Sequence, residues 1–302
     1  MRRWAALGLL ASALATSALD GHAGALRYCD APAELNAAQQ DRLFRFAAII
    51  KSELEGSGHA LALVSRSGVD LSRFGLRYSH AGIALQASPN APWSVRQLYY
   101  DCSERKPRLF DQGMSGFVVG TGDPAIGHVS AILLPAARSQ PLERAALDTG
   151  QSLQLLGSSY SANAYAYAVQ YQNCNQWVAE MMAVAWGELG AQGGKLRARA
   201  QQWLRNHGYT PAAFDIDNPL LMLAGFAVPW LHHDDHPTQA PGRQVFEVSM
   251  PASIEAFVQA TVPGAQRIEF CHRGRTIVIR RGWQPISEGC LATPGDSVVA
   301  LD

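Results

Sequence analysis

Between residues 35 and 54, Leu35, Leu43, Phe46, Ala47, Ile50 and Leu54 recur at the spacing of one helix face among charged neighbours. Gly56-Ser57-Gly58 follows, where such a helix stops. The pattern then changes to short apolar runs. Residues 59–64, 79–85 and 93–100 each have strand length, and Pro89-Asn90-Ala91-Pro92 marks a turn between the last two. An antiparallel hairpin is expected there.

Residues 113–127 are glycine-rich around Phe117, Val118 and Val119, which predicts a loop or a short strand. A strand over 131–134 and a helix over 141–156 come next. In 164–171, small residues alternate with Tyr165, Tyr167, Val169 and Tyr171, a period of two that predicts another strand. Helices are expected over 174–189 and 195–206. A polar stretch with prolines, 232–243, reads as a linker. Beyond it a strand at 245–249, a helix at 252–260 and strands at 267–271 and 276–281 predict a small α+β appendage. No internal repeat is present.

The N-terminus joins Arg2 and Arg3 to an apolar run over residues 5–19 and then to Gly21-His22-Ala23-Gly24-Ala25. That arrangement predicts a secretory signal cleaved after Ala23 or Ala25, and therefore a secreted protein, periplasmic if the source is Gram-negative. The run is too short and alanine-rich to predict a stable membrane span after cleavage. Of 302 residues, 48% are hydrophobic and 17% charged, enough for a large core. Lys plus Arg equals Asp plus Glu at 25 each, which gives no expectation of a nucleic-acid partner.

Export gives weight to the cysteine count. Five cysteines leave one thiol over if the others pair. Cys271 and Cys290 flank a strand-like stretch, Cys29 and Cys102 bracket the first part of the mature chain, and Cys174 is the natural free thiol, although four cysteines allow three connectivities.

Cys174 falls where a helix begins. Asn173 is a good N-cap and Gln176, three residues on, has the spacing of a capping box. At that helix end the dipole is expected to lower the thiol pKa below its free value of about 8.5, and nearby N–H groups could stabilise an oxyanion. A thiolate nucleophile needs a base near neutrality, and His80, at the start of an apolar strand with Gly82 two residues on, suits that role. The imidazole in turn needs a partner to orient it. Val95, Gln97, Tyr99 and Asp101 share one face of the next strand, so Gln97 or Asp101 is the candidate, with Gln97 preferred because it lies within the strand.

A histidine on a strand, a polar residue on the next strand and Asn-Cys at a helix start together resemble the permuted NlpC/P60-like group that includes lecithin:retinol acyltransferase. More closely, Ser79-His80-Ala81-Gly82, Val95-Arg96-Gln97-Leu98 and Gln172-Asn173-Cys174-Asn175-Gln176-Trp177 look like the uncharacterised bacterial family DUF2145. The resemblance implies an α+β fold with a circularly permuted papain-like core. It also implies a thiol hydrolase or acyltransferase acting on an amide or ester, such as a cell-wall peptide or a lipid, with no cofactor. Gln97 departs from the stronger partner that many relatives carry at the third position.

The expected organisation is a signal peptide over 1–25, the papain-like domain over 26–231, a linker over 232–243 and the appendage over 244–302. Two other readings stand beside the enzyme: a non-catalytic binding or assembly factor on the same fold, and a metal-binding exported protein using His232-His233-Asp234-Asp235-His236. Adjacent residues rarely all turn to one ion, so a solvated linker is the expectation for that cluster.

Overall fold

All six residues of strand β1 (Leu61–Arg66) are buried, which is why the sequence there runs apolar without alternating. Leu61 and Leu63 face one hydrophobic layer, Ala62 and Val64 the other. A computed structural model describes residues 35–190, 194–216, 218, 225, 228–237 and 244–301. The predicted signal segment lies outside them.

In chain order, β1 is followed by β2 (His80–Leu85), β3 (Ser94–Asp101), β4 (Lys106–Gln112) and β5 (Ile126–Leu133), then by β6 (Ala212–Ile216) and β7 (Gln244–Val248), which pair with each other. The last three are β8 (Gln266–Arg273), β9 (Thr276–Arg281) and β10 (Ser297–Ala300). Eight of these form one sheet in the order β10-β9-β8-β5-β1-β2-β3-β4, antiparallel throughout.

Helices cover both faces. On one side lie α1 (Ala37–Gly56), which buries Leu43, Phe46, Ala47, Ile50 and Leu54, and the short α2 (Met114–Val119). On the other lie α3 (Ala136–Leu147), α5 (Cys174–Trp186), α6 (Leu196–Asn206) and α7 (Pro251–Thr261); α4 (Thr149–Gln154) links α3 to the loop before α5. The protein is thus a mixed α+β structure built on a large antiparallel sheet. No helix among the described residues is long and apolar enough to cross a membrane.

Three expectations change. Residues 244–302 are not an appendage, because β8 pairs with β5 over eight positions and β9 and β10 extend the same sheet. The glycine-rich stretch at 113–127 contains α2, whose Met114, Phe117 and Val118 bury one helix face. Residues 164–171 form turns rather than a strand. Their carbonyls are taken by side chains of α5 and α6: Gln176 Nε2 donates to Tyr165, Ala166 and Ala168, Gln201 Nε2 to Ala168 and Arg197 to Val169. The segment touches β7 only at one isolated bridge, Tyr165 to Val248, with Ala166 N donating to the Glu247 carbonyl at 3.0 Å, and with its other acceptors filled it does not extend into a strand.

The described part of the expected linker is also packed. Tyr165 N donates to Asp235 Oδ2 at 2.8 Å, Asn163 Nδ2 to the His232 carbonyl at 2.8 Å and His236 Nε2 to the Asn163 carbonyl at 2.8 Å. His232 stacks on Tyr171 with 4.3 Å between ring centroids. Residues 238–243 lie outside the described set.

Candidate functional site

The cysteine helix starts as its sequence suggests, with one difference. Asn173 is extended, and its side chain accepts from Gln176 N at 2.7 Å, so Cys174 occupies the first helical position. The reciprocal half of a capping box, in which Gln176 Oε1 would accept from Asn173 N, is not made: the amide is turned so that Nε2 donates to the 165–168 carbonyls, and Oε1 makes no hydrogen bond. By contrast α1 carries a complete box between Asn36 and Gln39. Asn175 Nδ2 donates to the Ser79 carbonyl at 3.2 Å, which ties the first turn of α5 to the residue before His80.

On the sheet, His80 Nε2 lies 2.8 Å from Gln97 Oε1, and Gln97 Nε2 donates to Gln112 Oε1 at 2.7 Å. This amide orientation makes Gln97 Oε1 the acceptor, so His80 Nε2 carries the hydrogen and Nδ1 keeps a lone pair. The ring stacks on Tyr99, centroids 4.5 Å apart, and faces Phe117 of α2 at 6.2 Å. Asp101 is engaged elsewhere. Its Oδ1 accepts from Ser103 N, Ser103 Oγ and Glu104 N and so holds the β3–β4 turn.

Gly82 lets the two strands approach. A Cβ there would collide with the Val95 side chain and lie 3.1 Å from the Arg96 carbonyl and 3.2 Å from Gln97 Cβ. The β2–β3 ladder begins only at Ile83–Arg96, so the strands have parted by Ala81. The Cys174 sulfur sits at the Ala81 N–H and at the N–H of Asn175.

The two groups reach this strand end from opposite layers. Cys174 packs with Ala81, Ile83 and Trp177 on the α5 side, whereas the His80 ring lies against Tyr99 and Phe117 on the α2 side. Among the described residues no hydrogen bond joins the ring to the thiol.

Burial reverses the expected acidity of the thiol. It pushes Cys174 up to about 11, against the opposing pull of the Arg66 charge and the Asn175 and Ala81 amides. His80 is held well below its ordinary value of 6.5, first by burial and then by Arg66, with the Gln97 bond acting the other way. The resting site therefore holds a neutral thiol and a neutral imidazole.

Sequence reasoning passed over Arg66 and Gln112 as site residues and took Tyr99 only as a neighbour of Gln97 on one strand face. Gln112 and Tyr99 are polar positions in strands, and Arg66 ends an apolar strand, where a charge ordinarily reaches solvent. Cys271 and Cys290 form a disulfide with 5.7 Å between Cα atoms. Cys102 is also disulfide-bonded, while the Cys29 end of the expected pairing lies outside the described residues. Cys174 is free. No group of three or more His, Cys, Asp or Glu side chains among the described residues is placed to hold a metal ion.

These features define an α+β protein with a buried cysteine at a capped helix start, packed against a sheet strand that carries an oriented histidine. The chain belongs to the family described as an uncharacterised protein conserved in bacteria, DUF2145, which it matches over residues 53–258. That span holds Arg66, His80, Gln97 and Cys174 and ends within α7. No curated protein and no solved structure matches the chain.

Proposed function

We propose that this protein is an exported cysteine-dependent hydrolase or acyltransferase, with Cys174 as nucleophile, His80 as its base and Gln97 as the group that orients His80. The observation that carries the reading is the 2.8 Å bond from His80 Nε2 to Gln97 Oε1, which leaves Nδ1 as the basic nitrogen on the strand whose next amide meets the Cys174 sulfur. The order of histidine strand before cysteine helix, with α5 packed across β2 and β3, supports a permuted papain-like core of the NlpC/P60-like kind. The disulfides support an oxidising compartment.

Because both groups rest neutral, the proton moves as the bond forms. Cys174 Sγ attacks an amide or ester carbonyl while its proton passes to His80 Nδ1. The C–N or C–O bond then breaks, with Nδ1 returning that proton to the leaving amine or alcohol. Water, or another hydroxyl or amine, releases the thioester by the reverse proton path. The Asn175 and Ala81 amides supply donors near the sulfur. Carriers of the scissile bond consistent with this chemistry include cell-wall peptides and lipids.

Burial of a thiol whose pKa stands near 11 favours a second reading, a binding or assembly factor on the same fold. An acyl-type activity probe separates the two. The enzyme reading expects acylation of Cys174 that is lost in Cys174→Ala and falls at least about a hundredfold in His80→Ala. Equal labelling of native protein and His80→Ala would overturn it in favour of the binding factor.

A further inference from the structure

We propose that Arg66 is the positioning residue of this site, fixing the His80 ring through Tyr99 and setting a permanent positive charge on the sheet face that carries that ring. This inference rests on the acyl-transfer reading above. Arg66 pairs directly across from His80 in the β1–β2 register, so the two side chains share a sheet face. Its Nη2 donates to Tyr99 Oη at 2.8 Å, and Tyr99 is the ring on which His80 stacks. Nη1 donates to the Gly120 carbonyl and more weakly to the Ser67 carbonyl, and the guanidinium carbon lies 5.6 Å from the Phe117 ring centroid.

Every one of those partners is neutral. Arg66 is 6% exposed, as are His80 and Cys174, and among the described residues no carboxylate lies within ion-pair distance of it. A buried cation without a counter-charge is costly to a fold and needs a compensating use. The surrounding backbone is shaped to admit it. A Cβ at Gly120 would lie 2.6 Å from the guanidinium carbon, and one at Gly68 would lie 2.9 Å from Nη1 and 2.7 Å from Ser79 Oγ.

Arg66 is also the charged group that acts on both reacting residues. Around the sulfur the other polar influences are the amides of Asn175, Ala81 and Cys174 itself, and around His80 the neutral Gln97. Its charge favours a thiolate and disfavours an imidazolium. His80 therefore waits as a base and passes its proton on promptly once it has received it.

The test uses the full chain and five variants, Arg66→Gln, Arg66→Lys, Tyr99→Phe, His80→Ala and Cys174→Ala. Thiolate formation is followed by ultraviolet absorbance against pH with Cys174→Ala as baseline, and the His80 imidazole is titrated by NMR. Removing the charge in Arg66→Gln is expected to move both titrations upward by about one pH unit, while Arg66→Lys, which keeps the charge, stays close to native. Tyr99→Phe should leave the thiol titration near native but broaden the His80 signals. It keeps the proposal testable if Arg66→Gln does not fold.

Unchanged titrations in a folded Arg66→Gln, or an Arg66→Lys that behaves like Arg66→Gln, would overturn the charge role. Probe acylation in His80→Ala reads the dyad separately. Loss of acylation there with no shift in Arg66→Gln sinks this inference alone, and a shift in Arg66→Gln with acylation intact in His80→Ala sinks the dyad alone.

Discussion

Glu180 lies on the same helix as Cys174, two turns from it, and its carboxylate is fully buried. Oε2 accepts from Arg197 Nε at 2.9 Å and Gln172 Nε2 at 2.7 Å, and Oε1 from Arg197 Nη2 at 3.0 Å and Gln201 Nε2 at 2.7 Å. The same arginine donates to the Val169 and Tyr171 carbonyls, so this one ion pair binds α5, α6 and the segment leading into Cys174. Replacing Glu180 by Leu strands a buried guanidinium and should cost about 3–5 kcal/mol, with a similar cost for Arg197→Met. The double variant buries no charge. It leaves two carbonyls and two amide side chains short of partners, so its cost should be about 1–3 kcal/mol rather than the sum of the singles. Equilibrium urea unfolding followed by tryptophan fluorescence gives the coupling energy, expected to be at least about 3 kcal/mol. Additive singles, with coupling under about 0.5 kcal/mol, would refute the reasoning.

Three further outcomes are expected. Gly82→Ala must push Val95 or Gln97 aside and should lower stability by about 1–3 kcal/mol; an unchanged melting temperature would mean the β2–β3 approach has slack. His272 is held down to about 4, mostly by burial and then by the charges of His128 and Arg42, while its unfolded value is 6.5. Between those values the unfolded chain binds the extra proton, so stability is full above about pH 6.5 and falls by up to about 3 kcal/mol as pH drops to about 4. His80, His128 and His233 shift in the same direction, so His272→Gln should flatten this slope without abolishing it, and an identical slope in chemical denaturation would contradict the assignment. The Cys271–Cys290 disulfide closes a separation of 19 residues, and removing it in Cys271→Ala/Cys290→Ala should cost about 3 kcal/mol, read as a lower urea midpoint without reductant.

Local signals were enough for much of the frame. The α1 face, the three runs that became β1, β2 and β3, and the Asn173 cap that starts α5 all lie within a few residues of chain, where periodicity and capping act. Gln97 was readable as a neighbour of His80 for the same reason, since a hairpin and a period of two bring them to one face. Local reading failed where the deciding partner was remote. The alternating tyrosines at 165–171 imitate a strand, but side chains from α5 and α6 claim their carbonyls. Met114, Phe117 and Val118 had helical spacing, masked by Gly113, Gly116 and Gly120.

The sequence by itself determined which residues start the cysteine helix and the histidine strand, because capping and alternation are properties of neighbouring residues. Only the tertiary structure decided that the C-terminal strands complete the main sheet, since β5 and β8 find each other across more than a hundred residues. It also decided the electrostatics of the site. The helix end alone argues for a more acidic Cys174, yet the packing of α5 on the sheet removes water from the sulfur and raises its pKa instead. Arg66, which looks like a solvent-facing strand end, is enclosed by Gly120, Phe117 and Tyr99. Desolvation sums over everything packed around a group, and no stretch of sequence contains that sum.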